Sequence, residues 1–420
     1  MIDKILSALK KSGIDTWVLN VSETESVEIF MIRREEDMRR GKTVSAFSAT
    51  VYHDVEKDGV KMRGASTVQL YPGMSEEELQ AKLTDAYGNA IYAANPFYEL
   101  PDAVNEDRSG TDCLDLTEAA DAMLAALYAP DTGKTAFINS AEIFAVRRAC
   151  RTLTSAGTDV SYNTFGVNGE FVVQCTENAD VETYCSFDYN TPDTASLTEK
   201  AEQALKTVRD RASACKAPEA GEYDVLLTDE NVATLLGIYP DKCNAAMVYP
   251  GYSTFKEGTP VQEENCSGEK LNIRVFSREP FSRDGIPMPE RTLIENGAVK
   301  AILGETRMCR YLGIEPTGSY YCMKCLNGTM PFEEMKRGRV LLPVTFSDFQ
   351  CDSMSGYFGG EIRLAYLFEN GTVSIVTGGS ISGSLTKKVS ELKFSSERFS
   401  NASWEGPKAV LIPGVSVAGA

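Results

Sequence analysis

A nine-residue segment that occurs twice constrains the fold of this chain more than any other feature. Ser26–Arg34 reads SVEIFMIRR, and Ser140–Arg148, 114 residues further on, reads SAEIFAVRR. Each copy lies among stretches in which apolar and polar residues alternate, the pattern of strands with one buried face. A helix follows in each copy. The order predicts a duplicated unit of antiparallel strands and one helix, over residues of about 16–95 and 134–213.

The same patterns place the strands and helices of the two copies. The alternation predicts strands at Val18–Val21, Ser26–Arg33, Thr43–His53, Gly59–Leu70, Asp159–Phe165, Glu170–Cys175 and Glu182–Tyr189. The closing helices are predicted to begin at Ser75 with Glu78 and at Ser196 with Glu199. Each pair matches a capping box, in which the serine caps the N3 amide and the glutamate reaches back to the N-cap amide.

The character of the chain changes after Ala214–Gly221, whose sequence ACKAPEAG has the composition of a linker. We therefore predict an N-terminal α+β domain at residues 1–215 and a β-rich C-terminal domain at residues 221–420. Asn370-Gly371 predicts a tight hairpin in the second domain, because both central residues of a type I′ turn have positive φ. Long sheets need closed or covered edges, so a curled or barrel-like sheet is expected there.

The stretch Phe281–Gly328 combines several local signals. Asn296-Gly297 predicts a hairpin with strands at Arg291–Glu295 and Ala298–Leu303. A short helix is predicted at Glu305–Leu312, since Gly313 follows it where a left-handed C-terminal cap is typical.

Charge and composition limit the partners of the chain. It has 42 Lys and Arg against 60 Asp and Glu, a net charge of −18, which repels phosphate backbones and anionic lipid. Direct nucleic-acid binding is therefore disfavoured. No apolar stretch reaches the roughly 18 residues of a membrane span. The eleven cysteines form no dense pattern, which indicates free thiols and a cytoplasmic location.

The chain has a single histidine, His53, in the alternating segment VYHDV. A metal site with two histidines is therefore impossible, and any Ser-His or Cys-His nucleophile would have to use this residue. We interpret His53 as a structural residue of a strand.

Cys322 and Cys325, in CMKC, have the spacing of a metal or redox pair. A zinc site would need two more thiolates, and the nearest in sequence, Cys309 and Cys351, do not give the spacing of a common zinc ribbon. Free thiols are the favoured interpretation, while metal binding by Cys322 and Cys325 stays open.

A series of short motifs runs along most of the chain in a recognisable order. They are Arg63–Val68 (RGASTV), Pro72–Glu78 (PGMSEEE), Ser282–Pro289 (SRDGIPMP), Arg291–Gly297 (RTLIENG), Thr317-Gly318, Phe368–Gly371 (FENG), Gly379–Gly383 (GSISG) and Pro413–Gly419 (PGVSVAG). In this order the motifs resemble those of the TldD/PmbA family, specifically its TldE (PmbA) branch. Val376-Thr377 departs from the family pattern, where a proline-containing pair is more usual.

The resemblance implies an α+β N-terminal domain and a β-rich C-terminal domain in a dimer that encloses a peptide-degradation chamber. In the TldD branch a His-Glu-x-x-x-His motif and a late cysteine bind the catalytic zinc. Aligned on Leu235-Leu236, this chain has Gly237 and Lys242 at the two histidine positions, and Trp404–Pro407 leads into the last strands without the cysteine. A tetrahedral zinc with an activated water cannot be built from these residues. We expect no catalytic residue, metal or cofactor in this chain and zinc in a TldD-like partner.

The resemblance thus predicts a non-catalytic TldE-like subunit that forms a heterodimer with a zinc-bearing TldD-like homologue and encloses unstructured peptides. The alternative is a stand-alone homodimeric peptide-binding or regulatory protein with no protease activity. A third hypothesis is a metal-independent hydrolase that uses His53 or the CMKC cysteines. The family's older description as a modulator of DNA gyrase gives no reason to expect direct DNA contact at this net charge.

Two glycine-containing loops are the candidate site residues. Asp284 and Gly285 form one loop, and Thr317 and Gly318 form the other. We expect them to line the peptide cleft or the dimer seam, with turn formation alone as the alternative.

Overall fold

The structure, a computed structural model, describes residues 1–110 and 114–419. Strands account for 45% of the residues and helices for 22%, which confirms the predicted α+β class. No helix in the described ranges is long and apolar enough to cross a membrane. The described cysteines are free thiols, as expected, while Cys113 lies outside the described residues.

The N-terminal half forms one large sheet with helices packed on it. Its strands are β1 (Trp17–Ile32), β2 (Glu35–Lys57), β3 (Val60–Leu70), β4 (Asn95–Pro96), β5 (Asn105–Arg108), β6 (Ala136–Thr154), β7 (Asp159–Cys175) and β8 (Val181–Tyr189). Its helices are α1 (Ile2–Lys11), α2 (Glu76–Ala90, followed by a 3-10 turn at Ile91–Ala93), α3 (Leu116–Tyr128) and α4 (Thr194–Ser213). The order across the sheet is β4-β3-β2-β1-β6-β7-β5, and β8 also pairs with β7.

The two copies of the repeat meet through their first strands, because β1 and β6 pair antiparallel. Ile29 lies directly opposite Ile143, and these two isoleucines occupy the same place in the repeated segment. A local two-fold axis therefore passes between them. Both side chains are fully buried in a core shared with α3 and α4, so the repeated segment forms the hydrophobic centre of the sheet.

The prediction that four of the strand segments are separate is wrong. Val18–Val21 and Ser26–Arg33 belong to the single strand β1 apart from Arg33, and Asp159–Phe165 and Glu170–Cys175 belong to the single strand β7. The residues between the first two segments pair with β2 on one side and with β6 on the other. Those between the other two segments pair with β6. Polar residues are accommodated in the ladder there because one face of the sheet is not fully covered.

One of the two predicted capping boxes is present. The Ser75 hydroxyl accepts a hydrogen bond from the Glu78 N–H at 3.2 Å, and the Glu78 carboxylate accepts one from the Ser75 N–H at 2.8 Å. The box predicted at Ser196 and Glu199 is wrong, because Asp193 is the N-cap of α4. Its carboxylate accepts from the Ser196 N–H at 3.0 Å, and a charged acceptor complements the helix dipole at this end.

The C-terminal half is built mainly from strands. They are β9 (Gly221–Thr228), β10 (Ile273–Phe276), β11 (Arg291–Glu295), β12 (Ala298–Val299), β13 (Cys322–Cys325), β14 (Val340–Cys351), β15 (Tyr357–Glu369), β16 (Thr372–Val376), β17 (Ser380–Ser384), β18 (Lys393–Phe394), β19 (Arg398–Ser400), β20 (Trp404–Pro407) and β21 (Ala409–Ala418). The helices are α5 (Glu230–Leu236), α6 (Ile238–Lys242), α7 (Ala245–Val248), α8 (Thr306–Leu312), α9 (Phe332–Met335) and α10 (Leu385–Lys388).

Strands β14, β9, β21, β17 and β15 pair in that order, and β14 also pairs with β15. Within the described residues they close a five-stranded barrel, which confirms the expected barrel-like sheet. A second sheet has the order β12-β11-β10-β13-β20-β19. Both sheets contribute to one core, with Val225 from the barrel and Trp404 from the second sheet fully buried in it.

The turn predictions in this half are confirmed where they rest on local conformation. Asn296-Gly297 has φ values of 50° and 77°, and Asn370-Gly371 has values of 51° and 75°, as type I′ turns require. Gly313 caps α8 in the left-handed conformation, with φ 70°. The second strand of the first hairpin is shorter than predicted and ends at Val299. Residues 214–220 connect α4 to β9, and the division into domains at this segment stays a prediction.

Candidate functional site

The loop that contains Asp284 and Gly285 is a tight turn organised by Ser282. The Ser282 hydroxyl accepts hydrogen bonds from the N–H groups of Asp284 and Ile286, each at 3.2 Å. Gly285 has φ 78°, and a Cβ at this position would lie 2.6 Å from the Thr158 methyl group. Because Thr158 belongs to the N-terminal sheet region, this turn is pressed against the other half of the molecule.

The loop that contains Thr317 and Gly318 is tied to Gly304. Thr317 Oγ1 accepts from the Gly304 N–H at 3.0 Å, and the Gly318 N–H donates to the Gly304 carbonyl at 3.0 Å. Gly318 has φ 77°, and an added Cβ would lie 2.9 Å from Met288 Sδ and 3.0 Å from Ser282 Cβ. The two predicted loops are therefore in contact, and Gly318 needs to be glycine for both its backbone and its space.

Two carboxylates lie at this junction. Asp284 accepts a hydrogen bond from the Thr306 hydroxyl in the first turn of α8. Burial raises the pKa of Asp284, and the Thr306 hydrogen bond opposes part of that effect. Burial also raises the pKa of the neighbouring Glu305, a hydrogen bond from Ser319 opposes it, and the negative charge of Asp284 adds to the increase. Both acids therefore tend to retain a proton where an exposed carboxyl is ionised.

The N-terminal half places phenols and a guanidinium beside these acids. Burial, with a contribution from the charge of Asp284, raises the pKa of Tyr52 on β2, and burial raises that of Tyr98. Arg63 on β3 holds Asp54 with two hydrogen bonds of 2.6 and 2.9 Å and donates to the Tyr98 carbonyl at 2.8 Å. The junction thus presents neutral phenols and proton-retaining acids, groups suited to hydrogen-bond a polar ligand or another chain.

An aromatic contact joins the two halves next to the acids. Tyr311 on α8 meets Tyr98 edge to face at 6.0 Å between ring centroids, and its hydroxyl donates to the Pro96 carbonyl at 2.6 Å. Tyr249 lies on its other side at 5.1 Å. These contacts hold α8, and with it Thr306 and the acids, against the N-terminal sheet.

The four predicted residues are thus brought together. Gly285, Thr317 and Gly318 are buried, while Asp284 is partly exposed. Their role as cleft or dimer seam stays a prediction, and their observed contacts are within the chain. The tyrosines and Glu305 were missed. The alternation in VYHDV places Tyr52 and His53 on opposite faces of the strand, but it carries no signal that the C-terminal half covers the face of Tyr52.

His53 lies on the helix side of the sheet, away from this junction. Its ring stacks on Tyr87 of α2 at 4.0 Å between centroids, and Nδ1 is 3.0 Å from the Tyr87 carbonyl oxygen. This confirms the structural interpretation.

Helices α5 and α6, where the resemblance places the zinc motif of the TldD branch, carry no suitable ligands at the two aligned positions. Gly237 ends α5, and the Lys242 ammonium at the end of α6 donates to the Met354 carbonyl at 3.0 Å. Across residues 1–110 and 114–419, no group of three or more His, Cys, Asp or Glu side chains is placed to hold a metal ion. Gly237 has no side chain to bind zinc, and the positively charged ammonium of Lys242 cannot act as a zinc ligand.

The CMKC cysteines do not converge. Cys322 and Cys325 lie three residues apart on β13, opposite Phe276 and Ile273, so their side chains point to opposite faces of the strand. Burial raises the pKa of both thiols, that of Cys325 to about 12. A shared metal would need both as thiolates on one side.

Two surface grooves lie elsewhere in the described part of the molecule. The larger, about 720 Å³, covers one face of the second C-terminal sheet, where ion pairs link Arg274, Glu290, Lys324, Glu405 and Arg398 in sequence. The smaller, about 370 Å³, lies between β8 and the β19 region. None of the four predicted loop residues lines either groove.

A duplicated strand-and-helix sheet packed beside a closed five-stranded β-barrel defines a mixed α+β class of protein. A family model described as the PmbA/TldA metallopeptidase C-terminal domain matches residues 220–419. This match confirms, for residues 220–419, the resemblance to the TldD/PmbA family that the motifs indicated. No curated protein matches the sequence.

Solved structures share the whole fold at low sequence identity. A protein from Thermotoga maritima, described as a candidate modulator of a DNA gyrase, has 18% identity and a TM-score of 0.79, with 99% of each chain covered. TldE from Thermococcus kodakarensis has 15% identity and a TM-score of 0.77 over 99% of this chain and 100% of its own. A candidate modulator of DNA gyrase from Bacteroides thetaiotaomicron has 15% identity and a TM-score of 0.77 over 100% and 99%.

Proposed function

We propose that this chain is the non-catalytic, TldE/PmbA-like subunit of a TldD/TldE-type zinc metalloprotease that acts on unstructured peptides. The observation that carries the proposal is the altered helix pair. Gly237 offers no side chain, and Lys242 is a cation whose ammonium is held by the Met354 carbonyl. The zinc that activates water for hydrolysis would be bound by a TldD-like partner, and this chain would complete the enclosure around the peptide.

The net charge and the free cysteines support the proposed class of partner and the proposed location. The net charge of −18 argues against direct contact with DNA or an anionic membrane, so we propose a protein partner and peptide substrates only. Unpaired cysteines favour the cytoplasm. The absence of a gel shift with plasmid DNA at low salt is the expected result, and a shift under those conditions would contradict this point.

Purification with and without a TldD-like homologue from the same organism tests the proposal. Alone, the chain is expected to bind no zinc and to leave an unfolded protein substrate intact. With the homologue it is expected to form a stable complex that holds zinc and digests the substrate. Alanine at the first motif histidine of the homologue should abolish digestion, whereas Lys242→Met in this chain should leave zinc content and digestion unchanged.

Two outcomes would contradict the proposal in different ways. Stoichiometric zinc with peptidase activity from this chain alone would make it the catalytic subunit. A homodimer that binds peptides and ignores the homologue would instead support the stand-alone peptide-binding or regulatory protein. Analytical ultracentrifugation with metal analysis of each fraction separates these cases from the expected heterodimer.

A further inference from the structure

Strand β2 has a long edge that no described strand covers. On one side it pairs with β1, from Glu35 to Val51. On its other side β3 pairs only with the second part of β2, from Phe47 to Lys57. The first part, up to Ala46, therefore has a neighbour on one side only. It contains no proline, and its register with β1 is regular from Met38 onward.

The backbone groups on this edge are directed outward. Tyr52 donates its N–H to the Thr16 carbonyl at 3.0 Å, which fixes the even-numbered residues of β2 as those that bond towards β1. Because the direction alternates and the register is regular, the odd-numbered residues point away from β1. The groups available on the free edge belong to Arg39, Gly41, Thr43 and Ser45. No backbone hydrogen bond to another described segment involves them.

The second copy of the repeat shows what fits on such an edge. Strand β7 is the counterpart of β2, since Gly169 opposes Ile143 as Arg39 opposes Ile29. Residues 37–45 of β2 therefore correspond to residues 167–175 of β7. In the second copy β8 pairs antiparallel along all of Val167–Cys175. In the first copy the third strand, β3, is placed further along β2, and the equivalent position has no strand from the described chain.

Charges beside the free edge favour an acidic occupant. Arg40 and Lys42 lie on the same face of β2, and both pair with the buried carboxylate of Glu28. Their side chains remain 50% and 49% exposed, and two cations share one carboxylate. A second copy of this chain, pairing antiparallel through the same edge, would place these basic side chains against each other, which is destabilising. Strand β8 itself carries Glu182 and Asp188, which lie six residues apart and therefore on the same face of the strand.

We propose that Met38–Ser45 of β2 is a docking edge for an extended acidic segment of another polypeptide. The segment adds as an antiparallel strand in the place that β8 occupies in the second copy. Backbone hydrogen bonds to the outward groups supply affinity, and acidic side chains next to Arg40 and Lys42 supply selectivity. The site lies in the first repeat and does not depend on the proposed protease role.

A synthetic peptide derived from β8 tests the edge. The probe VETYSSFDY has the sequence of Val181–Tyr189 with serine in place of the cysteine, and a terminal fluorophore reports binding by anisotropy. The full-length protein is expected to bind it, with new protection from hydrogen exchange confined to Glu35–Ala46. A lysine version, VKTYSSFKY, is expected to bind several-fold more weakly. Lys42→Glu should reverse this preference.

Matched substitutions at Thr43 isolate the backbone contribution. Thr43→Pro removes one outward N–H on an edge position and is expected to weaken binding about tenfold, whereas Thr43→Val keeps the N–H and should bind as the original. A probe N-methylated at alternate residues tests the same bonds without altering the protein, should Thr43→Pro fail to fold. No binding by the unchanged protein, equal binding of the N-methylated or lysine probe, or protection elsewhere would overturn the proposal. So would a dimer that Thr43→Pro converts to monomer, because the occupant would then be a second copy.

Discussion

At the scale of single residues, acids in partly buried positions are the groups most sensitive to conditions. Asp284 is held by the Thr306 hydroxyl, yet burial still raises its pKa. The native state therefore keeps this proton at pH values where the unfolded chain has lost it. Stability from this group is full below the unfolded pKa of about 3.9 and is lost as the pH rises through the native pKa.

Asp284→Asn is expected to remove that loss. Asparagine keeps an acceptor for Thr306 and cannot ionise, so the melting temperature of the variant relative to the original protein should increase from about pH 4 towards neutral pH. Thermal melts across this range provide the measurement, with exposed Asp102→Asn as the control that should show no such trend. If the stability of Asp284→Asn relative to the original protein fell as the pH rose, the assignment would be contradicted.

Asp229 combines a buried carboxyl with an unfavourable backbone. Burial raises its pKa to about 6, with Lys408 opposing, and its φ of 54° with ψ of −124° is a region favoured by glycine. Asp229→Gly should stabilise the protein by about 1–3 kcal/mol above pH 6, and Asp229→Asn, which removes only the charge, by less. Urea unfolding at several pH values tests this, since the gain of Asp229→Asn should vanish below about pH 3, where the native and unfolded carboxyl are both protonated.

At the scale of elements, the sequence predicts the turns and helix caps whose geometry is set by residues adjacent in the chain. Asn296-Gly297 and the Ser75 capping box could be predicted because their geometry is set within four residues. The cap of α4 at Asp193 was missed, since Ser196 and Glu199 form an equally good local pattern. The position of the third strand of the first copy was missed, although the sequence carries a signal for it. Asp58-Gly59, with φ values of 53° and 78°, forms a tight turn that pairs Lys57 with Val60 and so fixes the register of β3 on β2.

The packing of α2 on β3 depends on one glycine. A Cβ on Gly64 would lie 1.8 Å from the Ala90 carbonyl oxygen at the end of α2, too close for any rotamer change to relieve. Gly64→Ala is expected to destabilise the protein by about 2–4 kcal/mol, since strand and helix must separate. Gly73→Ala is the matched control, because no atom lies within 4 Å of its added Cβ. Comparable urea midpoints for the two variants would show that the helix end yields freely.

At the scale of the whole molecule, both copies of the repeat contact the C-terminal half. The first copy does so through Tyr52, which packs in one hydrophobic cluster with Tyr98 and Tyr311. The second does so through Asp188, which pairs with Arg278 at 2.7 Å. The sequence predicted the α+β class and the barrel-like sheet, and it singled out two loops that lie in contact. It gave no sign of this docking, because contacts between residues 90 or more positions apart leave no local pattern.

The positions of Asp284 and Glu305 should therefore depend on the contact between the two halves of the molecule. A substitution of Tyr311 tests this. Tyr311→Ala removes the hydrogen bond to Pro96 and the edge-to-face contact with Tyr98, which should lower the free energy of unfolding by about 2–3 kcal/mol. Lys216 is already exposed, but its carbonyl accepts a hydrogen bond from the Thr377 N–H of the C-terminal half. Loosened docking should make the connection at residues 214–220 more mobile, so limited trypsin digestion at Lys216 should accelerate. Tyr321→Ala, at a side chain that is 78% exposed, is the control and should leave both measurements unchanged. If the two variants behave alike, α8 does not hold the domains together, and the position of Asp284 must depend on the Thr158 contact alone.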